Sequence, residues 1–265
     1  NHQKHYIAYD YGKDILKVKK NAILFLEGWR PDEPIFYLKY LQYIEEFRKD
    51  VKFIEIKHVS PFLIESNLKK GPVYIRRDSN VNYSGYLLIP EGVFQRVVKE
   101  DKEGIKWFFE GLKNRPKFTI GKIKSLVKQE ITFEDMQRLE AYFNYCKTFY
   151  DRGLYYHSFA MYENAIFELK EPLVILKELG IEDFEKIYEK IKGRNYASYI
   201  KTSLNLYKEI VGLYTLALFE KANIFYSQKA FDKAIEGYEM VLKLDPNNIQ
   251  AKQMLEECKK SLDKN

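Results

Sequence analysis

Apolar and polar positions along this 265-residue chain switch from short runs to sustained helical spacing near Asp101. The string NAILFLEG predicts a strand over Ala22–Leu26 that ends just before Gly28. A turn with two prolines follows, WRPDEP, and then IFYLKYLQYIEEF, whose spacing is helical. That helix is expected to start near Asp32, Glu33 and Pro34, since acids suit a first turn and Pro is tolerated there. Its expected sheet-facing side is Ile35, Leu38, Leu41, Tyr43 and Ile44, and DVKFIEIKH then predicts a second strand over Val51–Lys57. Such an order reads as a strand–helix–strand unit, whose parallel pairing requires a right-handed crossover.

Ahead of this unit, a polar start gives way to a helix with Tyr9, Ile15, Leu16 and Val18 as packing positions, and Asn21 marks the change of direction. Behind it, Pro61–Lys70 reads as a short helix stopped by Gly71, Pro72–Arg76 as a third strand, and YLLIPEG as one more. The segment DSNVNYSG between them is turn chemistry. Ile105–Leu112 reads as a short helix, and KNRPKFTIGK as a hinge. Beyond Thr132, with Asp135 three residues on as an approximate cap signature, nearly everything is helical.

Residues 215–248, TLALFEKANIFYSQKAFDKAIEGYEMVLKLDPNN, resemble a tetratricopeptide repeat, a helix–turn–helix of about 34 residues. Leu218 holds the large first-helix position, Ala222 the small one and Phe225 the next aromatic. Ala234, Tyr238 and Val241 take the second-helix positions, and Pro246 closes the unit. Small Ala222 and Ala234 let the helices approach closely while Phe225 and Tyr238 fill the groove beside them. Lys221 stands where the repeat usually has Leu. A looser copy places Tyr142, Cys146, Phe149, Ser158, Tyr162 and Ala165 at the equivalent positions, with Pro172 ending it. Asp183–Lys192 and Tyr196–Glu209 give a helix pair without the signature, and Ile249–Leu262 a capping helix. The expected fold is α/β plus all-α: a small Rossmann-like three-layer domain over residues 1–114, then tetratricopeptide-like repeats over 115–265.

A second resemblance covers roughly residues 8–99. DYGKDILKVKKNAILFLEG, PIFYLKYLQ, RKDVKFIEI, GPVYIRR and YLLIPEGVFQRVVK are similar, in this order, to pieces of the domain of unknown function 2723 family, whose animal relatives are protein O-mannosyltransferases. The resemblance implies a multi-spanning parent that takes sugar from a polyprenyl-phosphate donor, with the catalytic carboxylate in its membrane part. This chain would then be a non-catalytic extracytoplasmic domain that positions an acceptor protein or partner, joined to the membrane through an N-terminal region. The chain departs from the family where an acidic Gly-Asp-Asn-Asp-Thr-Phe element is usual: Gly28 is kept, both aspartates are replaced, and Asp32 and Glu33 follow later. The alternatives are a free-standing repeat adaptor that binds a protein segment, or a small α/β enzyme acting at the Gly28 loop.

Composition narrows the classes. A hydrophobic fraction of 46% with 16% aromatics excludes a disordered chain. The net charge of +6 is spread without blocks, which gives no support for nucleic-acid binding. Cys146 and Cys258 lie too far apart in sequence for a metal motif and read as small apolar fillers. No run reaches the ~18 apolar residues of a membrane helix. The first residue is Asn, so a processed chain or a piece of a larger protein is expected.

Candidate chemistry concentrates after the first strand, at the sheet edge where α/β proteins bind ligands. Glu27, Asp32 and Glu33 offer carboxylates, while Trp29 and Arg30 suit stacking on or bonding to a sugar; the plain alternative is a capped loop. No dinucleotide fingerprint or Walker loop is present, so no cofactor is expected. His58 and Ser60 lack a nucleophile elbow, and no histidine has metal-ligand spacing. Tyr142, Tyr145, Phe149 and Tyr155 are the candidate lining of a peptide groove, with repeat packing as the competing explanation.

Overall fold

A computed structural model describes residues 6–27, 35–56, 58–76, 83–118, 133–191 and 197–262. The chain divides into two compact units, and the division falls inside one helix, α5 (Phe133–Ser158): Thr148 belongs to the first unit and Phe149 to the second. The first part of α5 thus goes with the first unit. The reason is chemical. Tyr145 of α5 donates a hydrogen bond to Asp14 (2.7 Å), the Asn144 amide donates to Tyr11 (2.6 Å), and Thr148 donates to the Gly92 carbonyl (2.6 Å). The first half of α5 is thus part of the α/β core.

That unit is built on β1 (Ile23–Glu27), β2 (Lys52–Ile56), β3 (Val73–Ile75), β4 (Tyr86–Glu91) and β5 (Phe94–Lys99), with α1 (Tyr6–Ile15), α2 (Ile35–Tyr43), α3 (Pro61–Leu68) and α4 (Lys102–Lys113). The strand order is β2-β1-β3-β5-β4. β1 pairs in parallel with both β2 and β3, as the strand–helix–strand reading requires, while β5 joins antiparallel between β3 and β4. Ala22–Leu26 is buried throughout, which fits a central strand covered on both faces. One face, with Ile23, Phe25, Val73, Ile75 and Val97, packs on Ile64 of α3 and on Val59. The other carries Leu24, Tyr74, Ile89, Arg96 and Val98, with α4 lying over β4 and β5.

β5 is the strand that alternation did not reveal, because Gln95 and Arg96 stand within its buried run. A two-residue turn with Gly92 at φ 76° folds it onto β4. In α2, Leu38 and Leu41 are buried as expected, but Tyr43, two residues round the helix from Leu41, faces away, and Ile44 lies beyond the helix end, so both are exposed. Asn21, at φ 57°, makes the expected change of direction, and Gly71 leaves room for the Asn21 carbonyl.

A clasp joins the ends of these elements. The Arg48 guanidinium donates to the carbonyls of Leu16 (2.7 Å), Val18 (2.8 Å) and Lys19 (2.9 Å), beyond the end of α1. Its remaining donors meet Asp50 at 2.9 and 3.0 Å, and Asp50 in turn accepts from the Asn21 backbone (2.7 Å). The bonds from Arg48 hold the Asp50 carboxyl down at about 2.

In the second unit, the end of α5 pairs with α6 (Tyr162–Glu178), and α8 (Ala197–Ser227) with α9 (Phe231–Leu244). Their turns carry the same conformation: Ala160 at φ 55° and Lys229 at φ 59°. Their hydrogen bonds also correspond, Phe159 to Tyr155, Ala160 to His157 and Met161 to Tyr156 in one, Gln228 to Ile224, Lys229 to Tyr226 and Ala230 to Phe225 in the other. Ala165 therefore corresponds to Ala234, and Gly153, packed on Leu169, to Ala222, packed on Gly237. The expected register, which set Ala165 against Val241, is corrected by about two helical turns. Pro172 lies inside α6 rather than at its end. Tyr196–Glu209 is not a separate helix either: α8 runs from Ala197 through the start of the repeat without a break. After a 3₁₀ turn, Ile181–Asp183, come α7 (Phe184–Ile191), packed on α8, and finally α10 (Ile249–Leu262) at its expected bounds. Both cysteines are buried, and they form no disulfide with each other.

Two glycine substitutions have opposite expected signs. A Cβ at Gly104 in α4 would collide with the Lys99 carbonyl, a backbone atom that cannot swing away. Gly104→Ala gains about 1 kcal/mol of helix propensity and loses about 1–3 kcal/mol to overpacking. We expect a lower urea midpoint by tryptophan fluorescence, since Trp107 lies in the same helix as Gly104. Gly212 in α8 is exposed with open space around it, so Gly212→Ala should stabilise by about 0.5–1 kcal/mol in far-UV melts. Equal signs for the two would contradict the packing described. For the clasp, a depressed carboxyl stabilises the fold above its unfolded pKa, and this is lost as pH falls through the folded value. Asp50→Asn should cost about 1 kcal/mol near pH 6, kept small by solvent screening, with the gap closing between about pH 4 and pH 2. A gap that stays constant over that range would rule out the clasp as its cause.

Candidate functional site

The loop after β1 leaves the sheet edge where α/β proteins bind ligands. Glu27 ends β1 with its backbone opposite Ile56, while Trp29, Arg30, Asp32 and Glu33 lie outside the described residues. At the end of β2, His58 is exposed, and the Ser60 hydroxyl accepts from the Leu63 backbone (3.3 Å) as the N-cap of α3. Ser60 thus starts a helix. Among the described residues no cluster of three or more His, Cys, Asp or Glu side chains is placed to hold a metal, and no helix is long and apolar enough to cross a membrane.

The tyrosine-rich segment of α5 is mostly interior. Tyr142, Tyr145 and Phe149 are buried, and Tyr155 is half-buried. The Tyr145 ring stacks on Phe118 (3.8 Å, 25°) and meets Tyr11 edge-on (6.0 Å). Burial, reinforced by the neighbouring Asp14 carboxylate, pushes its hydroxyl far above the ordinary tyrosine range, so it remains a donor. Surfaces enclosed in this way are spent on packing, and of the four only Tyr155 keeps an accessible part.

An accessible apolar surface is found further along. In the 215–248 hairpin, Ala222, Ala234, Tyr238 and Val241 are buried, and the Tyr238 hydroxyl donates to Asn223 (2.7 Å). Lys221, the departure from the usual Leu, pairs with Glu163 of α6 (3.0 Å) and lies 5.5 Å from the centre of the Phe225 ring, with Lys233 at 5.6 Å. A charged residue is tolerated there because the position faces a carboxylate across the helix pair. α9 stops at Leu244, Asp245 accepts from the Asn247 backbone, and Asn248 caps α10 through the Ala251 backbone (2.9 Å).

Because α8 continues past the level of this turn, its exposed side and the α9–α10 connection enclose a cleft of about 500 Å³. Tyr207, Val211, Leu216 and Phe219 line it from α8, and Leu244 from α9. Leu216 and Leu244 are exposed apolar side chains, and Gly212 contributes bare backbone between them. Residues of α8 at 208, 211, 212, 215 and 219 recur at helical spacing, so they form one stripe. Sequence reading passed over it because Tyr196–Glu209 and the repeat looked like different helices.

The comparison with known families agrees with the hairpin geometry: residues 215–248 match the tetratricopeptide repeat. That match does not extend to the segments on which the glycosyltransferase resemblance rests. No curated protein matches the chain, and no solved structure does.

Proposed function

We propose that this chain is a protein-binding module whose helical repeats take a segment of another protein. The observation that carries the reading is the matched repeat, residues 215–248, with an open apolar cleft of about 500 Å³ beside its first helix. Stacked helical pairs present extended surfaces of this kind for binding. A bound segment would place an apolar anchor between Val211, Leu216 and Leu244, where exposed hydrophobic area would be removed from water. A narrower form of the reading puts the module on the extracytoplasmic side of a membrane glycosyltransferase, positioning an acceptor protein or glycan. It rests on the resemblance of residues 8–99 alone, and many hydrophobic spans encoded upstream of Asn1 would favour it over an adaptor.

The test is peptide selection on the purified chain followed by calorimetry. Peptides with apolar anchors should bind with dissociation constants on the order of micromolar. Leu216→Glu, an exposed position, should weaken them at least tenfold while the helical melt stays unchanged. Selected peptides that bind this variant as well as the parent would remove the cleft from the proposal.

A further inference from the structure

Independently of the repeats, the α/β unit holds a cavity of about 240 Å³ beside the β4–β5 turn, on the side of the sheet that carries Tyr74 and Arg96. Asp14, Lys17 and Lys19 line it from α1 and the stretch that follows, Glu91 and Gly92 from the β4–β5 hairpin, and Lys117 and Phe118 from the segment after α4. Its two carboxylates are already committed. Asp14 has a wholly buried side chain; one oxygen meets Lys17 (2.6 Å), and the other accepts from Tyr145 (2.7 Å). One oxygen of Glu91 lies beside the Arg96 guanidinium (3.3 Å), and the other accepts from Tyr74 (2.7 Å). Burial pushes the Tyr74 hydroxyl far above its ordinary range, so it stays a donor to Glu91.

Each carboxylate thus has a cation of its own and both oxygens in use, which leaves no ligand set for a metal ion. The Lys17 ammonium is held as well, by Asp14 and by the Lys117 carbonyl (2.9 Å). Lys19 and Lys117 remain. Among the described residues neither has an ion pair, and both are exposed at the mouth of the cavity. Among the described residues that line it, the balance is therefore two positive charges over a partly enclosed space, and the field in such a space attracts anions. Phe118 and Pro116 supply an apolar wall, kept rigid by the stacking of Phe118 on Tyr145. The volume corresponds to roughly eight waters of liquid, enough for a charged head group with a ring attached.

We propose that this cavity binds a small organic anion, a phosphate or carboxylate carrying an apolar ring, with Lys19 and Lys117 at the charged group and Phe118 beside the ring.

Phenyl phosphate, benzoate and inorganic phosphate serve as probes, titrated into the full chain by calorimetry at low salt. Phenyl phosphate or benzoate should bind with a dissociation constant on the order of 1 mM or below, and inorganic phosphate more weakly. Raising salt should weaken binding, because the recognition is electrostatic. The double variant Lys19→Ala, Lys117→Ala should lose about tenfold in affinity with an unchanged tryptophan-fluorescence melt, since both side chains are exposed. In amide spectra the Gly92 resonance should move on titration. No saturable binding of either ring-bearing probe, equal binding of inorganic phosphate, or undiminished affinity in the double variant would each overturn the proposal.

Discussion

Arg48 is the contact on which the α/β unit turns. Past the end of α1 the chain leaves three carbonyls, those of Leu16, Val18 and Lys19, without helical partners, and the Arg48 guanidinium takes all three. A planar group with five donors is suited to this, where a lysine would serve only part of it. Asp50 neutralises the guanidinium and, through the Asn21 backbone, ties the approach to β1 to the approach to β2. The start of β1 is therefore set from outside the sheet. Its position then determines the register with β2 and β3, and the Lys19 backbone, held by the same clasp, donates to Tyr74 of β3 (3.2 Å).

Close packing in both units depends on missing side chains. Gly104 and Gly111 let α4 settle on the β4–β5 hairpin, and Gly153 gives Leu169 its place between α5 and α6. In the matched repeat the same role falls to Ala222 and Gly237. Where the first hairpin differs, it holds a buried ion pair, Arg152 with Glu168 at 3.0 Å. A pair taken out of water adds little net stability, yet loss of one partner would strand the other, so it favours this pairing of helices over alternatives.

What could be read from the sequence follows the range of the interactions. β1, β2, α10 and the 215–248 hairpin were legible because their signals are local: an apolar run, a capping residue, small residues at helical spacing. β5 was not, since Gln95 and Arg96 interrupt its apolar run, and their burial follows only once the strand is paired on both sides, with Arg96 beside Glu91 across the hairpin. The first hairpin was placed in the wrong register because its aromatics, Tyr142 and Tyr145, satisfy the α/β core instead of the repeat. The cleft needed the continuity of α8, which no breaker between Glu209 and Thr215 interrupts apart from exposed Gly212. The cavity draws on residues from Asp14 to Phe118 with no shared motif, so only folding brings them together.

The unbroken α8 has a mechanical consequence. In arrays of separate helix pairs, each pair can fray at the end with its neighbour intact, because only an interface is lost. Here one 31-residue rod serves both α7 and α9, so peeling α9 away strips Leu218 and Ala222 from a helix that must stay formed to hold its other partner. The helical unit is thereby made to open as one body, and a ligand lodged along the rod would brace its two ends together.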